Sequence, residues 1–127
     1  MNKEQSINAF WNSFGIPAYD ENTVPEKIIV DGSLVDLKPP YITYNVVVDT
    51  INNVVYGSAT VWDKSRSWEF VTNKAHEIAD GLSGHFLKYD DGAILLYNGS
   101  PKYRRIATGD DNTRGIVINI GYEFLER

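Results

Sequence analysis

The stretch Gly115-Ile116-Val117-Ile118-Asn119-Ile120-Gly121-Tyr122-Glu123-Phe124-Leu125 decides the fold. Ile116, Ile118, Ile120, Tyr122 and Phe124 recur at every second position, the period at which a strand shows one face to a core. Val117 and Leu125 fall on the other face, so that face is not wholly polar. Working back from this strand, Gly109-Asp110-Asp111-Asn112 reads as a polar tip. Tyr103–Thr108 and the short apolar run Ala93–Tyr97 read as further strands, with Asn98-Gly99 between them as a turn pair. Tyr41–Val48 and Val54–Trp62 are rich in β-branched and aromatic residues, and residues 49–53 are turn material, which predicts an antiparallel hairpin.

Two segments carry the helical period instead. Ile7, Phe10, Trp11 and Phe14 lie at i, i+3, i+4 and i+7. Asn2 is an N-cap with Gln5 placed to complete a capping box, and Gly15 and Pro17 stop the helix. Over residues 66–81, Trp68, Val71, Ala75, Ile78, Ala79 and Leu82 form a second stripe. Ser65 or Ser67 caps it, Glu69 suits its first turn, and Gly81 and Gly84 end it. Residues 17–40, punctuated by Pro17, Pro25, Pro39 and Pro40 and by the turn signal Asp31-Gly32, read as a long, partly extended loop. Helices set apart from antiparallel strands predict one α+β domain over 1–127: an N-terminal helix, a sheet with a hairpin, a second helix packed on it, and C-terminal strands.

Composition bounds the function. The chain has 127 residues, 43% hydrophobic and 13% aromatic, which excludes a disordered or fibrous protein. A net charge of −5 argues against a protein that coats nucleic acid, because phosphate neutralisation needs surplus Lys and Arg. With no Cys there is no disulfide, thiolate nucleophile or Cys-bound zinc. The sequence has no apolar run near the roughly 18 residues of a membrane span, and Met1–Gln5 lacks a signal-peptide core. A cytoplasmic origin and no membrane partner are expected.

Candidate chemistry is sparse. His76 and Asp80 share a helix face at metal-pair spacing, but two ligands do not make a site. His85 follows Gly84, where a helix end favours a cation. Gly81-Leu82-Ser83-Gly84-His85 follows a helix rather than the strand that a nucleophile elbow requires. Asp90-Asp91-Gly92 is a turn, since Ala93, Ile94 and Leu95 offer a calcium ion no side-chain oxygen. No catalytic, cofactor-binding or metal residue is assigned, and no enzyme activity is expected. The charge pattern says more. Asp20, Glu21 and Glu26 open an acidic loop that runs on to Asp31 and Asp36. Lys102, Arg104 and Arg105 surround Tyr103, and Asp110 and Asp111 sit at the tip. These segments are the candidate interfaces. The basic one fits either the solvated edge of a sheet or a complement to the acidic loop in a neighbouring copy, since a heterologous ring needs two unlike patches.

Ile16-Pro17-Ala18-Tyr19, Pro39-Pro40-Tyr41-Ile42-Thr43-Tyr44, Ser65-Arg66-Ser67-Trp68-Glu69 and Gly121-Tyr122-Glu123-Phe124 together resemble minor structural (minor capsid) proteins of tailed phages and prophages of Gram-positive bacteria. Many of these look like tail terminator or tail completion proteins. The resemblance implies a virion protein of the tail or neck, made in the bacterial cytoplasm. It implies an α+β subunit of a hexameric ring that caps the tail tube protein and docks to the head–tail connector protein. DNA would pass through the lumen without specific binding, helped by an acidic wall. A head-completion or connector-stopper protein is the nearest alternative. A cone-shaped ligand-binding domain, with Trp11, Trp62, Trp68 and Tyr44 lining a pocket, is another.

Overall fold

The computed structural model describes residues 1–45 and 54–126, and the fold is α+β. A six-stranded sheet runs in the order β1-β4-β5-β8-β7-β6, from β1 (Ala18–Asp20), β4 (Tyr41–Tyr44), β5 (Val54–Lys64), β6 (Phe86–Tyr89), β7 (Gly92–Ile106) and β8 (Thr113–Glu126). β1 pairs parallel with β4, and every other pair is antiparallel. Helices α1 (Lys3–Trp11) and α2 (Glu69–Leu82) carry the apolar stripes buried against the core. Val46–Val48 of the expected strand and the expected turn 49–53 lie outside the described residues, but β4 and β5 do pair antiparallel, Tyr41 opposite Trp62.

The long alternating strand forms as expected. Ile116, Ile118, Ile120, Tyr122 and Phe124 are buried, and β8 sits between β5 and β7. The α1 capping box is complete: Asn2 Oδ1 accepts from the Gln5 N–H at 2.8 Å, and Gln5 Oε1 accepts from the Asn2 N–H at 3.0 Å. A single 3-10 turn, Asn12–Phe14, follows α1 and ends at Gly15 with φ +86°. α2 begins at Glu69 rather than residue 66, and its N-cap is Trp68, which makes no side-chain cap bond, so neither Ser65 nor Ser67 is the cap; both bond within the approach instead. Ser67 Oγ accepts from the Glu69 N–H at 3.1 Å.

Two further expectations are corrected, and one element is added. Residues 17–40 are not one loop: they hold β1 and a separate two-stranded hairpin of β2 (Lys27–Val30) and β3 (Ser33–Asp36). Phe86–Tyr89, to which the sequence assigns no element, is a strand. Asn98-Gly99 does not turn the chain. β7 runs through it as one strand with a large bulge, in which residues 99–102 lie opposite Asn119 alone. Gly99 is required there, since a Cβ would lie 2.5 Å from that of Asn119. The bulge is held by Asn119 Nδ2, which donates to the Pro101 carbonyl at 2.9 Å.

The core centres on Trp11, which is 0% exposed. Its ring stacks on Tyr44 at 6.1 Å, and its indole N–H donates to the Tyr122 hydroxyl at 3.1 Å. Burial holds the Tyr122 hydroxyl protonated well beyond the usual tyrosine range. Asn8 Nδ2 in turn donates to the Tyr44 hydroxyl at 2.8 Å. Ser6 Oγ donates to the Lys88 carbonyl at 3.0 Å, tying α1 to β6. On the opposite face of the sheet, Trp62 donates to Thr43 Oγ1 at 2.9 Å, and Trp62 and Ile106 close over Gly115. Tyr122→Phe leaves the Trp11 N–H buried without an acceptor. It is expected to lower unfolding free energy by about 1–3 kcal/mol, read from urea denaturation, with the far-ultraviolet spectrum unchanged.

Candidate functional site

The acidic candidates lie along the segment that runs from the end of β1 to the foot of the hairpin. Asp20 ends β1, half-buried, with Oδ1 accepting from the Asn22 N–H at 2.9 Å. Glu21 is exposed, and its N–H donates to the Tyr44 carbonyl at 2.9 Å. Exposed Glu26 stands at the foot of the hairpin, where its carbonyl accepts from the Leu37 N–H at 2.8 Å. The hairpin turns on Asp31 and Gly32, with φ +52° and +81°. A two-residue turn of this hand needs both positive values, and Asp-Gly supplies them. Lys27 and Asp36 pair across its base at 3.7 Å.

Its side chains are unusual for a soluble surface. Ile29 is 75% exposed and stands opposite Leu34, which is 66% exposed; Val30 and Val35 are exposed as well. Among the described residues the hairpin is a sheet of its own, and an isolated two-stranded hairpin is marginal in water. The sequence held the signal for it. Lys27-Ile28-Ile29-Val30 and Ser33-Leu34-Val35 are β-branched and apolar runs separated by a turn dipeptide, which is the pattern of a hairpin.

The basic candidates are split. Register places Arg104 opposite Val117 and Arg105 opposite Ile116, so the two point to opposite faces of the sheet. Lys102 and Arg104 are exposed. Arg105 lies on the helix side, its guanidinium carbon 4.4 Å from the centre of the Trp68 ring. Arg114 approaches the same ring at 5.2 Å and donates from Nε to the Arg66 carbonyl at 3.1 Å. Arg66 Nε donates to Asn112 Oδ1 at 3.3 Å. Among the described residues no carboxylate pairs with Arg66, Arg105 or Arg114. Arg66 and Arg114 were not among the sequence candidates. They lie far apart in the chain, and only the β5-to-α2 approach and the start of β8 bring them to Trp68.

Asp110 and Asp111 occupy the β7–β8 tip, both exposed. Asp110 organises the turn: Oδ1 accepts from the Asn112 N–H at 2.8 Å and Oδ2 from the Thr113 hydroxyl at 2.9 Å. The Asn112 N–H, then the Thr113 hydroxyl, hold its carboxyl below the usual aspartate range.

Other candidates resolve simply. His76 Nε2 and Asp80 form an exposed pair at 3.3 Å, and among the described residues no group of three metal-ligating side chains assembles. His85 packs on Phe10 at 5.6 Å between ring centres. The aromatics considered for a pocket do not converge. Trp11 and Tyr44 are sealed in the core, Trp62 is on the opposite face of the sheet, and Trp68 lies under the arginines. Among the described residues no helix is long and apolar enough to cross a membrane. Comparison with protein-family profiles, with curated proteins and with solved structures finds no match.

A carboxyl group whose value is depressed on folding adds stability above its unfolded value and loses it as pH falls through the folded one. The wild type is therefore expected to melt above Asp110→Asn at neutral pH. The gap should close as the pH drops below the ordinary aspartate value of 3.8. Thermal melts from neutral pH downward check this; a gap that is constant with pH would show that the carboxylate charge is not what braces the turn.

Proposed function

We propose that this chain is a virion assembly protein of the tail-terminator kind, acting by self-association and docking rather than by covalent chemistry. The observation that carries the reading is the solvated hairpin, a small element showing Ile29 and Leu34 to water at 75% and 66% exposure. Exposed apolar side chains on an element with little support of its own are what a contact surface requires. Separate acidic and arginine-rich surfaces favour the same reading, since unlike patches on one chain generate rings or filaments. The resemblance to minor structural proteins of tailed phages supplies the kind of assembly: a hexameric ring that caps the tail tube and meets the head connector.

The test is binding to purified tail tubes of a long-tailed phage of a Gram-positive host, imaged by negative-stain electron microscopy. Rings at tube ends, with blocked tube extension, are expected. Density at the portal of the head instead of the tube would replace the terminator reading with a connector-stopper role. Failure to bind either, in a chain that is also monomeric at all concentrations, would overturn the assembly reading.

A further inference from the structure

We infer that the hairpin of one copy docks on the Trp68 arginine cluster of a second copy, an inference that rests on the assembly reading above. The hairpin brings an apolar pair, Ile29 and Leu34, with the Lys27–Asp36 ion pair behind it on the same face and exposed carboxylates at its turn, Asp31, and at its foot, Glu26. The cluster is its chemical complement. Arg105 and Arg114 are held on one indole ring at 4.4 and 5.2 Å; among the described residues neither forms an ion pair within 4 Å, and of the two Arg114 has a carboxylate, Asp63, opposite it in register. A guanidinium fixed on an aromatic plane has lost rotamer freedom in advance, and its N–H fork matches a carboxylate in two-point fashion. Trp68 itself is half-buried, packed against the core and covered by the two guanidiniums, so its part is to hold them in place.

The two halves sit apart on one chain. The hairpin is inserted between β1 and β4, at one edge of the sheet. The cluster is built on β8, β7 and the approach to α2, three and four strands from β1. Contact between unlike patches is heterologous, so each copy offers one hairpin and one cluster, and growth continues until the rotation closes.

The experiment uses full-length chains and light scattering over a concentration series. Ile29→Ser with Leu34→Ser removes the hairpin's apolar pair; Arg105→Glu with Arg114→Glu removes the receptor. Each double variant alone is expected to associate about tenfold more weakly than wild type, or worse, as for the loss of central contact residues. Mixed together, each variant keeps one complementary half, so they form a 1:1 complex of twice the 14.3 kDa chain mass and grow no further. Should the glutamate pair fail to fold by circular dichroism, Arg105→Gln with Arg114→Gln takes its place. No 1:1 complex while wild type still associates would overturn this contact and leave the assembly reading standing. A wild type that stays monomeric to about 1 mM, a limit for weak association, would also overturn it; tube binding then decides the assembly reading separately.

Discussion

The indole N–H of Trp11 has one partner, the Tyr122 hydroxyl, and that bond joins residues 111 apart in sequence. A buried tryptophan contributes a large apolar area only if its N–H is satisfied. Tyr122 stands on β8, flanked by β5 and β7, so α1 is referenced to the middle of the sheet. The reference extends outward. Asn12, one residue beyond Trp11, uses its side chain to accept from the Ala18 N–H at 2.9 Å and donate to the Ala18 carbonyl at 3.2 Å. That sets the start of β1, from which the chain leaves for the hairpin. The direction in which the hairpin departs thus traces back, through two side chains, to one buried hydrogen bond.

A second constraint governs charge. Arg105 and Arg114 carry like charges and approach one ring, an arrangement that water alone would not favour. The negative face of the indole attracts each cation, and the Arg66 carbonyl accepts from Arg114. Lys3 shows the same economy at the other end of the fold. It pairs with Glu126 and lies over the rings of Tyr89 and Phe124 at 5.9 and 5.7 Å. The Lys3 ammonium holds the Glu126 carboxyl below its usual range. Burial, with the Glu126 carboxylate nearby, pushes Tyr89 up to about 12. In each case a cation rests on an aromatic surface while its polar hydrogens face a partner or solvent.

Much of this was legible in the sequence because it is written in periodicity. The alternation over Gly115–Leu125, the stripe through α2 and the Asn2–Gln5 box each follow from local rules, and each formed. What was hidden depends on distant partners. β1 is three residues long and exists because β4 lies beside it. Asn98-Gly99 has turn chemistry, yet β8 continues past it and keeps pairing with β7, so the extra residues are absorbed as a bulge. Lys102, Arg104 and Arg105 are a cluster in sequence and not in space, because neighbours on a strand face opposite ways. The arginine cluster around Trp68 was invisible for the converse reason: its members are drawn from three separate segments.

The bulge has one further consequence. Asn98 pairs with Ile120, and Tyr103 with Ile118, so four residues of β7 span the single residue Asn119. The excess is three, an odd number, and an odd excess inverts the alternation of the strand. Ahead of the bulge, even-numbered Ile94 and Leu96 are buried; past it, odd-numbered Tyr103 and Arg105 take the helix side. The segment therefore acts as a parity switch. A residue gained or lost there that the bulge absorbs leaves Arg105 opposite Ile116; one taken up by the strand sliding a single position past the bulge would send Arg104 toward Trp68 and turn Arg105 outward. The arginine on the tryptophan is kept as long as the bulge, rather than the register, takes up each change in length.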